Sequence, residues 1–223
     1  MTWIDGHDEV VAIEWPDDGA PTLHHPAWSQ LPTRSLVRVA DGGPPTWPTY
    51  VRLAADHHAI WLRFECPAAT ILATMHRYKD KVWQEDAVEV YLKPPRDPYL
   101  YEFQLSPIGT TRDLRVVDAG HPHQIFDDSW SCRGLVTEAS VAEDGHSSPV
   151  RWEAMFGLPW AAFGQSAPWN QQDTWRIGLF RIERDPEEFS GLIGVPQGAM
   201  ELHDPRFLRR LVVARKDPLD AVD

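Results

Sequence analysis

The segment Val82-Trp83-Gln84-Glu85-Asp86-Ala87-Val88-Glu89-Val90-Tyr91-Leu92 constrains the fold more than any other in the chain. Val88, Val90 and Leu92 recur at every second position, and Glu89 and Tyr91 fill the gaps. Side chains alternate across a strand with period two. The pattern therefore predicts a strand with an aliphatic face toward a core and an acid and an aromatic on the other face. Trp83 stands at the mouth of that strand. An indole there, beside a carboxylate and a phenol, suits a polar molecule with a flat apolar side. Sugars fit this description, because their C–H bonds stack on indole and their hydroxyls bond to carboxylates and amides. An ordinary sandwich strand with a buried Trp is the other reading of the same residues.

The alternation recurs at short intervals. Strands are predicted at 35–39, 49–55, 59–66, 87–93, 99–106, 112–117, 135–141, 150–156, 174–183 and 206–214. The stretches 49–55 and 59–66 form a hairpin around Asp56-His57-His58, with Ile60, Leu62, Phe64 and Cys66 on the core face. Leu158–Gly164 predicts one short helical turn ended by Gly164. Pro16, Pro21, Pro26 and Pro32 make residues 1–34 an extended lead-in rather than a helix. Many short strands with no alternating helix pattern predict an all-β fold, a sandwich of two mostly antiparallel sheets. Residues 35–214 would form this one domain, packed by the lead-in and followed by a tail at 215–223.

Composition agrees with that class and removes others. The 223 residues are 43% hydrophobic, enough for one core, and the 11 Trp and 20 Pro favour strands joined by long loops. A net charge of −12, with no basic run interleaved with aromatics, disfavours nucleic acid. No apolar run reaches the length of a membrane span. The first residues lack a basic and then apolar leader, which predicts a cytoplasmic protein without a signal peptide. Cys66 and Cys132 are too few for a zinc site and are expected to be reduced core thiols, with a single disulfide as the alternative.

Five blocks, in order, resemble the family 9 carbohydrate-binding modules: VWQEDAVEVYLKP, YLYEFQLSPIGTTRD, RWEAMFGLPWAAFG, WRIGLFRIER and VPQGAMELHDPRF. The resemblance implies an immunoglobulin-like, DOMON-like β-sandwich and non-catalytic binding of a saccharide or glycoside. It implies Trp83 as a stacking platform and Glu89 as an acceptor for sugar hydroxyls. Gln104 and Ser106 stand at the polar positions of the following strand, with Ser106 where the family carries Asn. Arg181 would bind the ligand or buttress Glu89, and His203 would contact the ligand or support it. The second clamping Trp of the family falls near Leu202, so one ring is missing, and His203 or Trp130 could stand in. Gln197 shapes a loop or reaches the ligand.

Other readings stay open at this stage. Glu89, Glu102, Asp86 and His203 include candidates for a carboxylate pair of the kind that hydrolyses glycosides. No serine-nucleophile elbow, glycine-rich phosphate loop or zinc-protease motif occurs. The pairs His24-His25 and His57-His58, and His121 with His123 beside Asp127 or Asp128, could hold a metal only if a third or fourth ligand converged. The resemblance implies a structural calcium in some members, although no calcium loop motif is present. The DOMON resemblance also implies a b-type haem as a remote alternative, held by Met75 with His76, His203 or Lys79.

Overall fold

The computed structural model describes residues 9–16, 19–142, 150–165, 175–194 and 202–214. Its strands are β1 (Glu9–Glu14), β2 (Arg34–Ser35), β3 (Val37–Arg38), β4 (Tyr50–Ala55), β5 (Ala59–Ala68), β6 (Ala87–Lys93) and β7 (Leu100–Leu105). They continue with β8 (Thr111–Val117), β9 (Ile125–Asp127), β10 (Val136–Val141), β11 (Val150–Pro159), β12 (Trp175–Arg184), β13 (Glu187–Gly191) and β14 (Arg209–Ala214). Short 3-10 turns at Pro26–Gln30, Val82–Gln84, Trp160–Phe163 and Pro205–Phe207 are the only helical elements among the described residues.

Hydrogen bonding runs along one path, β10-β11-β5-β4-β1-β14-β12-β6-β7-β8-β9. The path folds over at β1 and β14, which pair in parallel; β1 also pairs in parallel with β4, and the remaining ladders are antiparallel. Two layers result, with β10, β11, β5 and β4 facing β12, β6, β7 and β8. Between them lie Leu53, Leu62, Phe64 and Phe156 from one layer and Val88, Val90, Phe103 and Leu179 from the other, each at most 4% exposed. Each such side chain contributes roughly 1.5–3 kcal/mol on burial. The chain is thus an all-β sandwich, as the alternation predicts.

Local chemistry sets the register. The carboxylate of Asp56 closes the β4–β5 hairpin by accepting from the amides of His58 and Ala59, both at 2.7 Å, and from the Trp61 indole at 2.9 Å. The β7–β8 turn is closed by Ser106, whose Oγ accepts from the Thr110 amide at 3.0 Å, with Gly109 at φ +86°. Gly164 ends the 3-10 turn at φ +64°.

Both outer faces are covered in part. The lead-in contributes β1 and a 3-10 turn, and its Trp15, Leu23, Trp28 and Leu31 pack over Ala54, Trp61 and Met155. A Cβ on Gly157 would come within 2.1 Å of the Trp61 ring, so only glycine lets that indole lie over β11. On the other layer, Leu208 closes over Tyr91, Leu114, Val116 and Phe180, with Val39 and Leu202 beside it. The strands β1, β9 and β13 lie outside the sequence expectations. β9 and β13 are too short to show a period, and β1 pairs with β4 and β14, which are distant in sequence. Cys66 and Cys132 are buried free thiols, and burial pushes both up to about 12.

Candidate functional site

The outer face of β6 and β7 carries Glu89, Tyr91, Glu102 and Gln104, the residues that alternate with the core-facing Val88, Val90 and Phe103. Glu89 lies directly opposite Gln104, and Tyr91 opposite Glu102. All four are nearly out of solvent: Glu89 and Glu102 are 3% exposed and Gln104 is 1% exposed. The Gln104 amide donates to Glu89 Oε1 at 2.9 Å and also to Glu102 Oε1. The Tyr91 hydroxyl donates to Glu89 Oε2 at 3.1 Å, and His203 Nε2 pairs with Glu102 Oε2 at 2.8 Å. The His203 ring stacks on Tyr91, with centroids 4.9 Å apart and planes 15° from parallel. Two carboxylates and one amide thus form the floor of a site, with an imidazole at one end.

Above this floor is a cavity of about 670 Å³. Its walls include Trp83, Phe126, Phe189, Leu202, Lys81, Arg112, Asp128, Arg184 and Glu187. Trp83 is 40% exposed and Phe126 44% exposed, so both rings remain available to a ligand. The position of Trp83 follows from its neighbours. Glu85 accepts from the amides of Thr74 and Met75 at 2.7 and 3.1 Å, and Asp86 accepts from the amides of Leu72 and Arg184 at 2.7 and 2.8 Å. These bonds pin the loop before β6 on both sides of the short turn that holds Trp83. The Arg184 guanidinium also donates to the Trp83 carbonyl.

Burial, and next the nearby Glu102 carboxylate, push the Glu89 carboxyl well above the usual carboxylate range. His203 and the Tyr91 hydroxyl pull the other way without cancelling the shift. The arginines in the walls are committed elsewhere. Arg112 Nη2 donates to Asp128 at 2.7 Å, and Arg184 Nη1 to Glu187 at 2.7 Å.

Of the residues singled out in the sequence, Trp83, Glu89, Gln104 and His203 line this one cavity. Ser106 and Arg181 do not. Ser106 is fully buried and spends its hydroxyl on the β7–β8 turn. Arg181 stands opposite Val88 rather than Glu89 in the β12–β6 ladder, so it points into the sandwich interior. There it pairs with Glu183 and donates to Thr49 Oγ1 at 3.2 Å. It can neither touch the ligand nor buttress Glu89. A strand arginine reads alike on either face until the register is known. Trp130 packs against Tyr101 and Phe103 at the end of the core, with centroids 4.7 and 6.2 Å away, and cannot serve as a second clamp. Gln197 lies outside the described residues. Asp86 is held by backbone amides, which removes it from any acid–base pair.

Arg112, Phe126 and Phe189 are among the wall residues that lie outside the sequence expectations. Arg112 could have been read from the alternation of β8, where it sits opposite Gln104. Phe126 and Phe189 lie in strands too short to show a period. Phe126 sets its ring edge-on to His203 at 5.0 Å.

The remaining metal and haem candidates do not converge. Asp127 pairs with Arg115, Asp128 with Arg112, and His24 with Glu153 at 3.3 Å. Among the described residues no three His, Cys, Asp or Glu gather to hold a metal ion. Met75, His76 and Lys79 line a different cavity from His203. Lys79 is tied to the carbonyls of Asp128 and Trp130 at 2.5 Å. No helix among the described residues is long and apolar enough to cross a membrane.

No family model and no curated protein matches the sequence. Solved structures do match. A protein of Bacteroides uniformis ATCC 8492, provisionally described as carbohydrate-binding, superposes with a TM-score of 0.72 at 15% identity, over 93% of this chain and 99% of that one. A family 9 carbohydrate-binding module of Caldicellulosiruptor kristjanssonii in complex with glucose matches at 0.60 and 11% identity, over 95% of this chain and 98% of the module. A family 9 module of the same organism in complex with cellotriose matches at 0.61 and 11%, over 97% of this chain and 98% of that one. At these identities the likeness establishes a shared β-sandwich over nearly the whole chain.

Proposed function

We propose that the protein binds carbohydrate without transforming it, in the cleft over β6 and β7. One observation carries this reading: an exposed indole, Trp83, stands in the same cavity as a buried floor of hydrogen-bonding groups, Glu89, Gln104 and Glu102. A sugar ring meets both needs at once, with its C–H face on the indole and its hydroxyls on the floor. Phe126 supplies a second aromatic wall where the family's second Trp is missing. The glucose and cellotriose complexes of proteins with this fold support a saccharide as the ligand class.

The floor suits holding better than hydrolysis. Glycosidases set two carboxyl groups on either side of the scissile bond. Glu89 and Glu102 instead lie side by side on one sheet face, and all four of their oxygens already accept or share a hydrogen bond.

The test is a thermal-shift and calorimetric titration with glucose and cellotriose. Saturation at a hundred dissociation constants stabilises a folded protein by about 2.7 kcal/mol, enough to raise the unfolding midpoint measurably. Trp83→Ala should remove that shift while its circular dichroism spectrum stays that of wild type. No heat and no shift with any saccharide would exclude the reading.

A further inference from the structure

The two outer faces of the sandwich treat their carboxylates differently. On the β4–β5–β11 face, Glu65 and Glu153 are paired with Arg52 and Arg63. On the β6–β7 face, no guanidinium among the described residues bonds to Glu89 or Glu102. Their partners are the Gln104 amide, the Tyr91 hydroxyl and His203. The arginines nearby, Arg112 and Arg184, are bound to Asp128 and Glu187.

A second observation concerns Gln104. Its amide nitrogen serves both carboxylates, and its Oε1 is buried with no hydrogen-bond partner. A buried carbonyl oxygen left alone costs about 1–3 kcal/mol. Gln104 lines the cavity, and a bound ligand that reaches that oxygen would supply its donor. The floor therefore offers acceptors to the cavity: two carboxyl groups with no guanidinium bonded to them and one amide oxygen with no donor.

We infer that the saccharide this cleft prefers carries a protonated amine, an amino sugar with a free ammonium group, seated on Glu89, Glu102 and the Oε1 of Gln104. An ammonium has three donors and no acceptor, which matches three acceptors on one face. Its charge lets both carboxyl groups ionise together, against the burial that otherwise keeps a proton on Glu89. A neutral hydroxyl offers one donor and no charge at the same point. The inference rests on the carbohydrate reading above and narrows its ligand class.

Calorimetric titration of the full chain at about pH 6.5, where a sugar amine carries its proton, tests it with glucose, glucosamine and N-acetylglucosamine. Glucosamine should bind tighter than glucose by about tenfold or more, as a charge-assisted contact requires. N-acetylglucosamine, which has lost the charge, should bind no better than glucose. In the doubly substituted Glu89→Gln, Glu102→Gln protein, the ratio of glucosamine to glucose affinity should fall toward one. Equal binding of glucose and glucosamine by wild type would overturn the inference and leave the carbohydrate reading intact. Binding of N-acetylglucosamine as tight as that of glucosamine would overturn it too. Failure of all three sugars, with glucose and cellotriose silent as well, would overturn both.

Discussion

The outer faces of the two layers are built from the same residue types and do different work. The β4–β5–β11 face is a lattice in which Arg63 donates to Glu65, to Glu153 at 2.7 Å and to the Leu23 carbonyl at 2.9 Å. It ties the lead-in to the sandwich. The β6–β7 face holds two equally polar carboxyl groups over a cavity with aromatic walls, and no arginine among the described residues is bonded to them. A charged sheet face therefore marks a site by its imbalance, not by its polarity. Balanced charge is structural; unbalanced, buried charge waits for a partner.

Breaking the lattice should give the largest effect. Arg63→Ala removes the guanidinium donor to Glu153 and to the Leu23 carbonyl and one of the two to Glu65, and should cost about 2–3 kcal/mol in urea unfolding. Sugar binding at the opposite face should be unaltered. A cost near zero would mean that the apolar cover of Trp15 and Trp28 alone secures the lead-in, and the contrast between the faces would lose half its force.

Single carboxylate replacements should have opposite signs on the two faces. Glu65→Gln weakens two guanidinium contacts of a partly exposed group and should destabilise by about 1 kcal/mol. Glu89→Gln at pH 8 should leave stability unchanged or raise it, since it removes a charge that burial disfavours. Matching losses in both variants would show that the floor carboxylates are structural.

The pH profile sharpens the same point. Glu89 is raised by burial and by Glu102, and Glu183 is raised to about 7 by burial. A folded protein then keeps protons that the unfolded chain releases above its ordinary carboxylate range. Stability from these groups is complete below that range and is lost as pH rises through neutrality. Asp41, held at about 2 chiefly by its bond from Arg38, and Asp127, held at about 2 chiefly by Ser129, act in the opposite sense and lose their contribution as pH falls below about 4. Unfolding midpoints should therefore peak in mildly acid solution, and Glu89→Gln should flatten the alkaline side. A wild-type curve rising from pH 5 to pH 8 would contradict this.

The smallest effect should come from the wall. Phe126→Ala removes an exposed ring and its edge contact to His203, costing about 0.5–1.5 kcal/mol of sugar affinity, a several-fold rise in Kd, with little change in stability. An unchanged Kd would leave Trp83 as the only stacking surface.

Much of this was legible along the chain. The alternation of Val88, Val90 and Leu92 with Glu89 and Tyr91 assigned each side chain to its face, because the period of a strand is a local property. The family resemblance put Gln104 beside Glu89, and turn chemistry made Asp56 a turn. Arg181 shows where the logic stops. A lone arginine in a strand carries no mark of its face, and its partners Thr49 and Glu183 differ in sequence distance by more than a hundred residues. Ser106 falls at the end of its expected strand, but its hydroxyl is spent on the Thr110 amide and does not line the cavity. Phe126 and Phe189 were silent for a related reason: strands as short as β9 and β13 have no period to read.

The sequence by itself therefore determined the class of fold, the strand that bears the site and the aromatic at its mouth, all of which follow from neighbours in the chain. Only the tertiary structure decided which charges are paired. Ion pairing depends on approach within a few ångströms between strands far apart in sequence, and among the described residues it is the lack of a bonded guanidinium at Glu89 and Glu102 that sets this face apart.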